Sequence, residues 1–178
     1  EKNLGISGNT NAAIQEAEGT VIAFMDHDDL LMPTALSEVL RAMQTNEADL
    51  VYSDEYIVFE DGSLKQVVHK PGWSPEAFRS ANYIGHFVAV RSDIVRESGG
   101  LRSLYDGAQD HDFLFRVTKK AKNITHIPLL LYVWRAHKKS TSFAVSVKPY
   151  VPQALIRSVS DDIIRMGDHA DVSLHSVE

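Results

Sequence analysis

At 178 residues, with 44% hydrophobic and 24% charged residues, the chain is long enough to bury a core and is composed like an ordinary globular domain. Its 18 Lys and Arg against 24 Asp and Glu leave a formal charge of −6 and no basic stripe, which excludes a general nucleic-acid binder. The lack of cysteine excludes disulfides and thiolate metal sites and suits a reducing compartment, and no apolar run reaches the ~20 residues of a membrane-spanning helix.

Along the chain, Asn3 to Gly8 reads as loop. A short helix is predicted from Asn9 to Glu18, with Ala13, Ile14 and Ala17 on its inner side and Gly19 as its stop. Thr20 to Met25 is short, β-rich and apolar without alternation, the pattern of a strand covered on both faces of a parallel sheet. It ends in Asp26, Asp28 and Asp29. A helix over Pro33 to Gln44 is expected to bury Leu36, Val39, Leu40 and Met43, which fall at i, i+3, i+4 and i+7. Asp49 to Ser53 is a second strand, again followed by acids, and Tyr56 to Val68 reads as a hairpin turning at Glu60-Asp61-Gly62-Ser63. Ser74 and Pro75 open a short helix through Phe78, and Ile84 to Arg91 is a strand followed by a brief helix. A helix is predicted over His111 to Lys122, and a strand over Asn123 to Trp134 that Pro128 breaks. A basic loop follows, and a last amphipathic helix over Pro152 to Met166 aligns Leu155, Val159, Ile163 and Met166 before Gly167.

Three groups of residues carry chemistry. Asp26 and Asp28, spaced i, i+2 at the carboxyl end of a strand, share a face where open α/β sheets bind ligands. Close carboxylates raise one another's pKa unless a cation neutralises them, and an all-oxygen set suits Mg²⁺ or Mn²⁺. The alternative is that these acids only start the next helix. Asp110, at a loop-to-helix junction with Asp112, has the placement of a general base, the alternative being that one of the two is an N-cap. His137 can complete a metal site and Lys138 and Lys139 can meet phosphates, or all three are simply solvated.

A set of motifs occurs in order: Asn3-Leu4-Gly5-Ile6-Ser7-Gly8-Asn9-Thr10-Asn11, Asp26-His27-Asp28-Asp29, Tyr52-Ser53-Asp54-Glu55, Lys70-Pro71-Gly72-Trp73-Ser74-Pro75, Asn82-Tyr83-Ile84-Gly85-His86, Gln109-Asp110-His111-Asp112 and Tyr132-Val133-Trp134-Arg135. Together they resemble family 2 glycosyltransferases of the GT-A fold, especially bacterial enzymes of surface-polysaccharide assembly, over residues 1 to about 167. The resemblance implies a Rossmann-like α/β architecture with a mixed, mainly parallel sheet flanked by helices. Residues 1–148 would form the C-terminal two-thirds of the domain and residues 149–178 a closing helix and tail. The strand, turn and helix that hold the nucleotide base in such enzymes would lie before Glu1, so the fold is expected to be truncated at its N-terminus, with weakened donor binding.

The resemblance also assigns roles. Asp28 would ligate Mn²⁺ or Mg²⁺ on the diphosphate of a nucleotide sugar, with Asp26 at the ribose or the metal's water shell and His137 as a late ligand. Asn11 and Lys138 would join Asp26 on the donor nucleotide. Asp110 would deprotonate the acceptor hydroxyl for inverting attack, and Asp54, Trp73, Tyr83 and His86 would touch donor sugar or acceptor. Partners would be a UDP- or dTDP-sugar, a saccharide or lipid-linked acceptor and adjoining domains, in the cytoplasm or at the cytoplasmic face of the inner membrane. The sequence leaves two other readings: a non-catalytic carbohydrate-contacting or scaffold module, and a haloacid-dehalogenase-type phosphatase with Asp26 as nucleophile. The second lacks that motif's usual Thr or Val after the acids.

Overall fold

In the computed structural model, which describes residues 3–136 and 150–174, one strand organises the sheet. β3 (Leu50–Phe59) pairs along its whole length with β6 (Ile124–Ala136) in parallel. On its other side the first residues pair antiparallel with β5 (Val88–Arg91), and the later ones with β4 (Leu64–Val68). β1 (Val21–Phe24) lies outside β5 and the two-residue β2 (Leu30–Leu31) outside β6, both antiparallel, giving the order β1-β5-β3-β6-β2 with β4 added on β3.

The sheet is mixed, as expected, but its parallel content is narrower than the expectation of a mainly parallel sheet. β1, β3 and β6 run one way, yet only β3 and β6 are neighbours; β5 separates β1 from β3. β1 is accordingly an edge among the described residues, and Ala23 is exposed on a strand expected to be covered on both faces. Pro128 does not end β6. The register passes from Ser53 opposite Ile127 to Asp54 opposite Leu130, so Pro128 and Leu129 are left out of the ladder in a bulge. A residue without an N–H is tolerated in a strand at such a place.

Alternation along β3 and β5 divides the core between the two faces of the sheet. Leu50, Tyr52, Val88 and Val90 meet Ile14 of α1 (Gly5–Glu16), Phe78 of α3 (Pro75–Ser80), Val95 of α4 (Ser92–Glu97) and Phe113 and Val117 of α5 (Gln109–Thr118). Val51, Phe87 and Ala89 meet Ala35, Val39 and Ala42 of α2 (Ala35–Thr45). The result is a sheet flanked by helices. α1 begins four residues before the expected Asn9, with the Asn3 side chain accepting from the Gly5 N–H at 3.0 Å, and it ends at Glu16 rather than at Glu18. α3 begins as predicted, with Ser74 Oγ accepting from the Ala77 N–H at 3.2 Å.

Two amphipathic faces are rotated from their expected positions. On α2 Leu36 and Leu40 are 57% and 52% exposed, while Ala35, Val39 and Ala42 are buried. Phe87 and Tyr132 fill the space beneath this helix, so small side chains face the sheet. On α6 (Tyr150–Arg165) the buried stripe is Val151, Ala154, Ser158 and Asp162, and Met166 lies outside it, exposed. α6 reaches the start of α5 because Gly107 stands between them: a Cβ there would lie 2.9 Å from Val151, and its φ of +99° favours glycine. Asp162 then takes Lys119 at 2.9 Å and Arg79 at 3.2 Å.

α5 is further fixed by Asp112. This carboxylate is fully buried and receives Arg102 on Oδ1 and Arg116 on Oδ2, the latter at 2.9 Å. A buried acid is tolerable only with such partners. No helix among the described residues is long and apolar enough to cross a membrane.

The rotated face of α2 gives an expected outcome for paired substitutions. Val39→Ala should cost about 1–3 kcal/mol through lost burial and an unfilled space. Leu40→Ala, at an exposed site, should stay within about 0.5 kcal/mol. Urea unfolding of both variants checks the assignment, and the reverse order would restore the face expected from periodicity.

Candidate active site

The acidic turn after β1 is built by β6. The Asp29 N–H returns to the Asp26 carbonyl at 3.2 Å, and the Tyr132 hydroxyl lies inside the turn, accepting from the Asp26 N–H at 3.1 Å and donating to Asp29 Oδ2. The Arg135 N–H donates to Asp29 Oδ1 at 2.8 Å, and Arg135 Nε donates to the Asp28 carbonyl. Asp29 is 5% exposed with both carboxylate oxygens engaged, so it shapes the turn. Burial raises its pKa, against the opposing effect of the Tyr132 and Arg135 hydrogen bonds. Burial also pushes the Tyr132 phenol upward, keeping it a neutral donor.

One carboxylate oxygen each of Asp26, Asp28 and Asp29 falls in a group whose members lie within 4.8 Å of one another. Asp26 is the most open of the three, its side chain 55% exposed, and its Oδ1 lies 3.4 Å from His86 Nε2. The His86 hydrogen bond holds Asp26 below the usual carboxylate range, in spite of partial burial. For His86, burial disfavours the imidazolium, but Asp26 and then Asp110 outweigh it and raise its pKa. His86 therefore stands in the field of two acids from different elements.

The second acid, Asp110, is in the first turn of α5. Its Oδ2 accepts from Asn82 Nδ2 at 2.9 Å and its Oδ1 from the His111 N–H at 2.9 Å. Neither Asp110 nor Asp112 is an N-cap. Ala108 holds that position with no side-chain cap, and Asp112 belongs to the buried arginine tie.

The other expected contacts divide. His86 is brought to the acids, as described. Trp73 and Tyr83 are packed against Phe78, with ring centres 5.5 and 5.8 Å away, and the Tyr83 hydroxyl accepts from the Ser74 N–H at 2.9 Å. Both are only partly buried. Two residues stand away from their expected roles. Asp54 is 1% exposed, with Oδ2 on His69 Nδ1 at 2.7 Å and Oδ1 on His126 Nε2 at 2.6 Å and on the Lys70 N–H at 3.0 Å, so both its oxygens are engaged by the protein itself. Asn11 is engaged by the Leu101 backbone, donating to its carbonyl at 2.8 Å and accepting from its N–H at 2.7 Å, so it clamps α1 to the loop before α5 instead of facing a nucleotide. His137 and Lys138 lie outside the described residues.

Sequence reasoning gave no role to Tyr132, Arg135, Asn82 or Lys70. All four sit in the ordered motifs, which is the signal that marked their segments; their roles depend on partners 14 to 107 positions away along the chain.

The donor set fits a hard divalent cation. It is all oxygen, two of its three carboxylates are not fully buried, and the third, Asp29, also anchors the turn through both of its oxygens. Asp110 adds a partly buried carboxylate, oriented by Asn82 and the His111 N–H, whose charge also acts on His86.

Comparison with known proteins bears on this arrangement. The sequence model of glycosyl transferase family 2 matches residues 1–107. An uncharacterized protein of Sinorhizobium fredii, y4gI, is 36% identical over 93% of this chain and 18% of its own length. The O-antigen biosynthesis protein RfbC of Myxococcus xanthus is 33% identical over 92% of this chain and 13% of its own length. The chain thus spans less than a fifth of either relative. Among solved structures, S. aureus TarS 1-349 in complex with UDP-GlcNAc superposes with a TM-score of 0.70 at 16% identity, covering 90% of this chain and 47% of that one. That likeness establishes the GT-A fold.

The Asp54 cluster has a pH signature. Burial alone would raise its pKa, but the Lys70 N–H and the two imidazoles overcome it and hold it below the ordinary value. Its contribution to stability is therefore complete above about pH 4 and is lost as pH falls through the lower folded value. Urea unfolding between about pH 5 and about pH 3 should show a shallower loss of stability in Asp54→Asn than in the parent. Equal slopes would mean that Asp54 carries no such linkage.

Proposed function

Because the chain belongs to glycosyl transferase family 2, we propose that it forms the catalytic part of an inverting, metal-dependent transferase that moves a sugar from a nucleotide-diphosphate donor to a saccharide or lipid-linked acceptor. The observation that carries this reading is an acidic turn held by β6, with Asp26 Oδ1 3.4 Å from His86 Nε2, together with Asp110 in the first turn of α5, which is bonded to Asn82 four residues before that histidine. The donor is a UDP- or dTDP-sugar and the product a cell-surface polysaccharide, consistent with the O-antigen relative. We place the reaction on the cytoplasmic side of the inner membrane.

Asp26 and Asp28 would hold Mn²⁺ or Mg²⁺. When bound, the cation neutralises charge on the departing diphosphate. Tyr132 and Arg135 keep the turn closed around the carboxylates, so their positions are set before substrate arrives. Asp110 accepts the proton of the acceptor hydroxyl. The hydroxyl oxygen bonds to the anomeric carbon as the bond from that carbon to the diphosphate oxygen breaks, and attack from the opposite side inverts the centre. Asn82 and the His111 N–H hold the Asp110 carboxylate in one orientation for that transfer.

Calorimetric titration of Mn²⁺, alone and with UDP, tests the metal side. Mn²⁺ should bind, UDP should tighten it, and Asp28→Ala should abolish both. Asp110→Asn should leave Mn²⁺ and UDP binding intact and lower sugar transfer by about 100-fold or more. Magnetic resonance of the product should show the anomeric configuration opposite to the donor's. Retention of configuration, or full activity in Asp110→Asn, would remove the base from this scheme.

A further inference from the structure

We propose that the segment from Asn82 to His86 is a positioning strap that links the two halves of the site, with Asn82 orienting the Asp110 carboxylate and the buried Lys70 pinning the strap to β3. The proposal rests on the reading of Asp110 as the base and has Asn82 and Lys70 act through it as positioning residues.

Six contacts place the strap. At one end Asn82 Nδ2 donates to Asp110 Oδ2 at 2.9 Å, while its own Oδ1 accepts from the Gly85 N–H at 3.3 Å. One amide thus closes the turn and holds the acid. At the other end His86 Nε2 lies 3.4 Å from Asp26 Oδ1. Between the ends, Lys70 Nζ donates to the Ile84 carbonyl at 2.7 Å and also to the His86 carbonyl. The same ammonium meets Glu55 Oε2 of β3 at 3.0 Å, and its side chain is 2% exposed.

The physical case is one of accounting for polar groups. A buried ammonium must be met by acceptors, and here the chain spends them on two carbonyls of one short loop and one carboxylate of the central strand. Gly85, at a φ of +46°, lets the loop turn tightly enough for Asn82 to bond its N–H. The strap is held at three places to β3, α5 and the acidic turn, so it cannot shift toward one acid without moving relative to the other. A base must sit within hydrogen-bond reach of the hydroxyl it deprotonates, and a displacement of about 1 Å can cost about 100-fold in rate.

The test uses the full-length protein. Asn82→Ala should lower kcat for sugar transfer by about 10- to 100-fold, with donor KM and Mn²⁺ affinity within about twofold of the parent. Asn82→Asp, nearly isosteric but unable to donate to Asp110, should fall at least as far. Lys70→Met should lower kcat and also the melting temperature. A purely structural Asn82 would instead leave Asn82→Asp near the parent and tie any loss of rate to loss of stability, and that result overturns the proposal. A readout independent of turnover follows the side-chain amide of Asn82 by ¹⁵N magnetic resonance, identified by its loss in Asn82→Ala. In Asp110→Ala the resonance should shift and its protons should exchange faster. If the parent transfers no sugar yet this response is seen, the strap stands and the catalytic reading falls. An unaltered amide overturns the strap whatever the activity.

Discussion

Three carboxylates on one short turn repel each other, and the structure depends on the groups that hold them there. Those groups come from β6: the Tyr132 hydroxyl accepts the Asp26 N–H and donates to Asp29, and the Arg135 N–H takes the other Asp29 oxygen. β6 can do this because it runs parallel to β3 for the whole length of that strand, past the Pro128 bulge, and carries β2 antiparallel beyond it. The acidic turn is thus a consequence of sheet register. A slip of one residue along β6 would turn Tyr132 to the opposite face and leave a buried Asp29 without its partner.

Burial of charge recurs away from the turn, each time as a joint between elements. Asp112 joins α5 to Arg102, in the loop before it, and to Arg116 on the helix itself; Asp162 joins α6 to α5 and α3; Asp54 gathers His69, His126 and the Lys70 backbone around β3. Each of these acids is at most 1% exposed. Such pairs add little net stability compared with a well-packed apolar alternative, but removing one partner leaves an uncompensated charge. The first two joints fix how α5 sits, and α5 carries Asp110. The placement of Asp110 therefore depends on buried charges elsewhere on and around α5.

These joints also separate two kinds of acid that look alike along the chain. Asp28 and Asp26 lie on a turn open to solvent on one side, whereas Asp54 ends the same kind of apolar run at Asp49 to Ser53 and is sealed inside. The difference comes from position in the sheet. β1 is an edge strand among the described residues, and its end opens outward; β3 is central, with β6 paired at Asp54 and β4 joining from Glu55 on. An expected sugar contact becomes an internal hydrogen-bond hub for that reason. Asn11 follows the same logic, because the approach of α1 to the Leu101 segment consumes its amide.

The chain's own letters determined the class of fold, the strand-to-acid junction after Phe24, the helix opened by Ser74 and Pro75, and the ordered motifs that mark the family. These are local: an apolar run, a cap and a spacing are complete within a few residues. Only the tertiary structure decided which faces of α2 and α6 are buried, since the large side chains beneath α2 and the ion pairs of Asp162 on α6 select the stripe, and periodicity alone leaves it free to rotate by one position. It also decided which acids are solvent-facing and which are buried, and that Asn82, Lys70 and Tyr132 bond to Asp110, His86 and the acidic turn. Those assignments are hydrogen bonds between residues distant along the chain, and a partner that is close only in space leaves no periodic trace in sequence.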